Sequence, residues 1–100
     1  MVKHIILWNL NDKYTDKEKD NIKRGIKDSL EGLLGKIPGL IDIKVNINGL
    51  SSSTADLMLD STFESEDALK NYSTHPLHVA AADGFVRPHT VLRSCLDFEV

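Results

Sequence analysis

A single cysteine, Cys95, stands in 100 residues, so no internal disulfide can staple this chain. Nothing beside it in sequence marks an activated thiol, and Cys95 reads as an inert sheet residue. Basic charge is not in excess either. Twelve Lys and Arg against fifteen Asp and Glu leave a net charge of -3, which argues against nucleic acid as a partner, since phosphate binding wants a basic face. Long hydrophobic runs are missing. None approaches the roughly 20 apolar residues of a transmembrane helix. The run Ile5 to Trp8 is too short for a signal peptide and lacks a small-residue cleavage site. No membrane partner is expected, and the expected location is the cytoplasm. With 41% hydrophobic residues, the chain has material for one core and one domain over residues 1–100.

What is present is strongly patterned. Val2 to Leu10 reads as a strand apolar on both faces, with His4, Ile6, Trp8 and Leu10 on one and Lys3, Ile5, Leu7 and Asn9 on the other. Asn11 to Tyr14 is a polar turn. Thr15 followed by Glu18 makes a capping box, and Ile22, Ile26, Leu30, Leu33 and Ile37 form one helical stripe ended by Gly35 and Pro38-Gly39. Leu40 to Asn48 alternates, setting Ile41, Ile43, Val45 and Ile47 against polar partners. Gly49 to Thr54 is a Ser-rich loop. Ala55 to Phe63 is a third strand with Leu57, Leu59 and Phe63 on one face. Ser65 caps a helix from Glu66 to about Ser73 that buries Ala68, Leu69 and Tyr72. Pro76 suits the first position of a further helical turn, continued by Val79 to Ala82 and broken at Gly84. Val91 to Val100 closes the chain as a strand with Leu92, Ser94, Leu96 and Phe98 on one side.

The order βα, β, βα, β predicts an α+β, ferredoxin-like sandwich: one antiparallel four-stranded sheet with helices on one face. The other face would carry Ile5, Leu7, Met58 and Val91 with nothing left in the chain to cover it. An uncovered apolar strip of this kind looks for a partner, and a second copy of the chain is the expected one.

Chemistry concentrates between Asn71 and His89, where Tyr72, His75, His78 and His89 crowd together; His4, on the first strand, is the fourth and last histidine. Imidazole matters because its unperturbed pKa of about 6.5 lets it trade a proton near neutrality. Three readings stay open. His75 before Pro76 can serve helix entry, its ring bonding to nearby backbone, with His78 a satisfied core histidine. A neutral imidazole beside a phenol can instead relay a proton to a carbonyl substrate, with His78, Tyr72 and His4 as the catalytic set. Ile6, Trp8, Ile26, Leu57, Leu59, His75 and His89 would then line the pocket for a small-molecule ligand. A metal reading would use His75 and His78 at i, i+3 with Asp83 or His89, but proline after His75 takes it out of the helix, so no metal and no cofactor is assigned.

The run Val2-Lys3-His4-Ile5-Ile6-Leu7, then Thr62-Phe63-Glu64-Ser65, then Tyr72-x-x-His75-Pro76-x-His78-Val79, Arg87-Pro88 and a closing Asp97-Phe98-Glu99 resembles the stress-responsive A/B-barrel (Dabb) family across nearly the whole chain. The resemblance implies a dimeric α+β barrel formed by two copies packed sheet to sheet. Most of that family has no assigned activity, which implies a ligand-binding, stress-associated protein. Polyketide-cyclising members use a tyrosine and a histidine of this motif, which implies, as the alternative, a cofactor-free lyase- or cyclase-like enzyme in which Tyr72 and His78 act on a carbonyl or polyketide-like substrate. This chain departs from those members at Leu57, where they carry a further histidine.

Overall fold

Four segments become strands: β1 is Val2–Leu10, β2 is Leu40–Asn46, β3 is Leu57–Phe63 and β4 is Thr90–Glu99. In a computed structural model describing residues 1–100, they form one sheet of order β2-β3-β1-β4 in which every neighbouring pair is antiparallel. Three helices, α1 (Asp16–Glu31), α2 (Glu66–Thr74) and α3 (Pro76–Ala81), supply the second layer, and a π-helical turn over Ala82–Val86 extends the last of them. This is the ferredoxin-like α+β fold that the order of elements predicts. No helix is long and apolar enough to cross a membrane.

Local chemistry starts each helix. Thr15 accepts from the Glu18 amide at 3.2 Å while the Glu18 carboxylate accepts from the Thr15 amide at 2.9 Å, the reciprocal box expected at α1. Ser65 accepts from the Ala68 amide at 3.1 Å to open α2. The core lies between the layers: Ile6, Trp8, Leu10, Val45, Leu57, Leu59 and Phe63 from the sheet meet Ile26, Leu30 and Tyr72 from the helices. Gly39 lets α2 close down on the sheet. Its φ is +82°, and a Cβ there would stand 2.5 Å from that of Ala68, so both backbone and packing require glycine.

Four local expectations need correction. Helix α1 stops at Glu31, so Leu33 and Ile37 continue the apolar stripe from turns, where they remain buried. The alternation of β2 breaks at its first residues: Leu40 pairs with Phe63 and Asp42 with Thr62, leaving Ile41 as the extra residue of a bulge and 44% exposed. Gly84 does not break the last helix. The helix widens there instead, and the Arg87 amide donates to the Ala82 carbonyl five residues back at 2.8 Å. Finally, β4 has a bulge where Asn9 pairs with Leu92 and Leu10 with Thr90, so Val91 has no cross-strand partner; Leu92, Ser94, Leu96 and Phe98 are the β4 residues that join Ile5, Leu7 and Met58 on the open face.

The two edges of the sheet differ. Edge strand β2 is closed at its middle, because Lys27 donates to the Val45 carbonyl at 2.8 Å, Glu31 accepts from the Val45 amide at 2.9 Å, and the two side chains pair at 2.7 Å. Strand β4 is exposed along nearly its whole length. The helices cover β1, β2 and β3, and the face of β4 that looks to the helix side is left bare beside them.

Candidate functional site

That bare strip is one wall of a cavity of about 840 Å³. Strand β1 contributes Val2, His4, Ile6 and Trp8, β3 contributes Leu59, β4 contributes Arg93, Cys95 and Asp97, and the helical side contributes Tyr72, His78, Ala82, Val86 and Arg87. The three residues singled out as a catalytic set, His4, Tyr72 and His78, therefore share one cavity. Of the expected ligand contacts, Ile6, Trp8 and Leu59 line it. Ile26 and Leu57 are packed in the solid core instead. His75 lies outside it, where its Nδ1 accepts from the Leu77 amide at 3.1 Å and caps α3. His89 is also outside, its Nδ1–H donating to the Phe85 carbonyl at 2.9 Å and its ring 5.7 Å from that of Tyr14.

An aromatic cluster fixes the inner wall. Phe63 and Tyr72 lie with ring centroids 4.8 Å apart, Tyr72 and His78 4.2 Å, and His4 stands edge-on to Phe63 and Tyr72 at 6.3 and 6.5 Å. The Tyr72 hydroxyl is closed off from solvent and finds no hydrogen-bond partner within the protein. Burial pushes the Tyr72 phenol well above its ordinary pKa, so it stays a protonated donor near neutrality. His78 donates from Nδ1 to the Ser73 carbonyl at 3.2 Å, which leaves Nε2 as the acceptor of a neutral ring. Burial draws the His78 imidazole below its usual pKa, outweighing that hydrogen bond, and the nearby Arg87 charge acts in the same direction.

The downward shift of His78 has a sign that can be tested. The folded protein binds fewer protons at this ring than the unfolded chain does. The resulting stability is fully present above about pH 6.5 and is lost as pH falls through the folded pKa. Between about pH 7.5 and about pH 5 the parent should lose more melting temperature than His78→Gln. Parallel losses in the two proteins would show that this ring does not titrate from a buried state.

Two residues of the site were missed by the sequence reading: Asp97 and Cys95. His4 stands directly opposite Asp97 in the β1–β4 register, and its Nδ1–H donates to the Asp97 carboxylate. The Cys95 sulfur lies 3.7 Å from His4 Nδ1 and 3.5 Å from Asp97 Oδ1. Partial desolvation of the sulfur, reinforced by the hydrogen bond to Asp97 and its charge, pushes the Cys95 thiol up, away from an activated thiolate. The i, i+2 spacing of Cys95 and Asp97 signalled a shared face. Their nearness to His4 depends on β4 pairing with β1. His75, His78, Asp83 and His89 do not gather as a donor set; the group that does is His4, Cys95 and Asp97.

The model of the stress responsive A/B barrel domain matches residues 2–100. The chain belongs to this family. Among solved structures, the A/B-barrel chain is similar to a dimeric protein of unknown function with a ferredoxin-like fold from Bacteroides fragilis, at 35% identity over 99% of this chain and 95% of that one, with a TM-score of 0.92. A dimeric ferredoxin-like protein of unknown function from Thermobifida fusca aligns at 24% identity over 99% and 90%, TM-score 0.78. The hydroxynitrile lyase of Passiflora edulis aligns at 19% identity over 97% and 90%, TM-score 0.71. Likeness at the last two identities speaks for shared fold alone. No curated protein matches the sequence.

Proposed function

We propose that residues 1–100 form a single A/B-barrel domain working in the cytoplasm as a homodimer, and that its cavity binds a small molecule with a largely apolar body and an oxygen that bonds to Tyr72. The observation that carries this reading is the orphaned Tyr72 hydroxyl on a cavity-lining residue. A buried donor left unmade costs about 1–3 kcal/mol, and an acceptor brought by a ligand removes that cost once the side chains closing off the hydroxyl give way. The cavity, at about 840 Å³, lies within the usual range of about 300–1,000 Å³ for small-molecule sites. The homodimer is supported by the open apolar face and by the description of the 35%-identical Bacteroides fragilis protein as dimeric.

Mass spectrometry of small molecules that co-purify with the native protein supplies the test molecule. Tyr72→Phe should bind it at least about tenfold more weakly, one hydrogen bond being worth about 1.4 kcal/mol in such a site. The same change removes an unsatisfied buried hydroxyl, so the empty variant should melt no lower than the parent. Binding as tight as the parent's would overturn the role given to Tyr72.

A second reading, a cofactor-free lyase- or cyclase-like activity, is favoured by one observation: Tyr72 and His78 are held in contact with complementary protonation, a phenol kept acidic-form beside an imidazole kept neutral. On a carbonyl substrate Tyr72 would donate to the oxygen while His78 accepts the proton from carbon or hydroxyl. What separates the readings is whether the bound molecule leaves chemically changed.

A further inference from the structure

The β1–β4 ladder brings three unlike metal-binding donors to one spot. His4 and Asp97 face each other across the ladder, and Cys95, two residues before Asp97, shares its face of the sheet. Their donor atoms all lie within 4.8 Å of one another. We propose that His4, Cys95 and Asp97 form a three-ligand site for a zinc-type divalent transition ion, with the fourth coordination position open to the cavity they line.

Geometry supports the donor set. Around a tetrahedral zinc ion, with Zn–S near 2.3 Å and Zn–N or Zn–O near 2.0–2.1 Å, neighbouring donors stand about 3.4–3.6 Å apart. Of the two edges that involve sulfur, the one to Asp97, at 3.5 Å, already has that length, and the one to His4, at 3.7 Å, exceeds it by about 0.1 Å. The third edge is closed by the His4–Asp97 hydrogen bond; inserting an ion there releases the Cys95 thiol proton to solvent, moves the His4 proton from Nδ1 to Nε2 and swings the carboxylate outward. Asp97 has the freedom to do so, its side chain being 46% exposed on an edge strand, whereas the His4 ring is held by Phe63 and Tyr72. One imidazole nitrogen, one sulfur and one carboxylate oxygen suit a borderline-soft ion of the zinc class better than calcium or magnesium, which prefer all-oxygen sets. The site is on the helix side of β4, so pairing of two copies through the opposite face leaves it accessible. It shares the cavity of the ligand reading but not its anchor, Tyr72, and the ion titration needs no organic ligand.

The test uses the full chain, stripped with chelator and titrated with Co²⁺ alone as the optical probe, then with Zn²⁺ in competition. One ion per chain should bind, with a thiolate-to-cobalt charge-transfer band that vanishes in Cys95→Ser, and Asp97→Asn should weaken binding at least about tenfold. Both substitutions fall at exposed side chains, and circular dichroism should show both variants folded. No bound ion in the parent would overturn the proposal. So would binding of equal strength and colour in the parent and in both variants, since that would be adsorption to surface carboxylates.

Discussion

Ile26→Asp should unfold the protein or bring it close to unfolding. Ile26 is wholly buried on the inner face of α1, among the residues that join helix to sheet. A carboxylate at that point has no cation or donor to meet, and an uncompensated buried charge together with the lost packing costs about 5 kcal/mol or more. A domain of this size has about 5–15 kcal/mol in total. The expected drop in melting temperature is therefore about 20 °C or more, at roughly 4–8 °C per kcal/mol. Arg24→Asp places the same carboxylate on the exposed side of the same helix and should cost about 1 kcal/mol or less. If Ile26→Asp melts within a degree or two of the parent, the buried face of α1 has been misassigned.

The stripe that identifies Ile26 also shows what sequence pattern can and cannot tell. Thr15 with Glu18, Ser65 with Ala68, and His75 with Pro76 each act through bonds spanning two or three residues, so their roles in starting helices are legible from the chain alone. Periodicity beyond the helix end misleads because turns can bury residues as well as helices can. Leu33 and Ile37 keep the spacing and the burial of α1 without belonging to it. Bulges are a second source of error. One extra residue at Ile41, and another at Val91, reverses which face the neighbouring positions occupy, and neither residue type announces it.

The site divides along the same line. Tyr72 and His78 are six residues apart, and the break in helix geometry at His75-Pro76 brings their rings together, so the motif could be recognised from local chemistry. His4 could be placed on the helix side of its strand by alternation. Its companions could not. Asp97 lies 93 residues away, and only the sheet order, with β4 beside β1 rather than beside β3, sets it against His4. The cavity depends equally on tertiary arrangement: it exists because the helix layer stops short of β4, which no stretch of sequence records. The same shortfall explains why His89, though close to the motif in sequence, stands outside the cavity beside Tyr14.

Leu7→Lys should separate the proposed homodimer into folded monomers. Leu7 stands on the open face opposite Met58 and Ser94 and is 42% exposed in the single chain, with Ile5, Leu92, Leu96 and Phe98 around it. A two-fold interface through this face receives every substitution twice. Two ammonium groups would then be buried without partners, at about 3–5 kcal/mol for each uncompensated charge, which weakens association at least about a hundredfold. Closure of β2 by Lys27 and Glu31 favours this face over pairing along that edge. Light scattering at micromolar concentration should give a dimer for the parent and a monomer for Leu7→Lys, with unchanged circular dichroism because the side chain lies outside the core. Leu77→Lys, at an equally exposed leucine on the helix side, should remain dimeric. A monomeric parent, or a Leu7→Lys variant that associates as tightly as the parent, would remove the sheet-to-sheet barrel and leave the apolar face of β1 and β4 in need of another occupant.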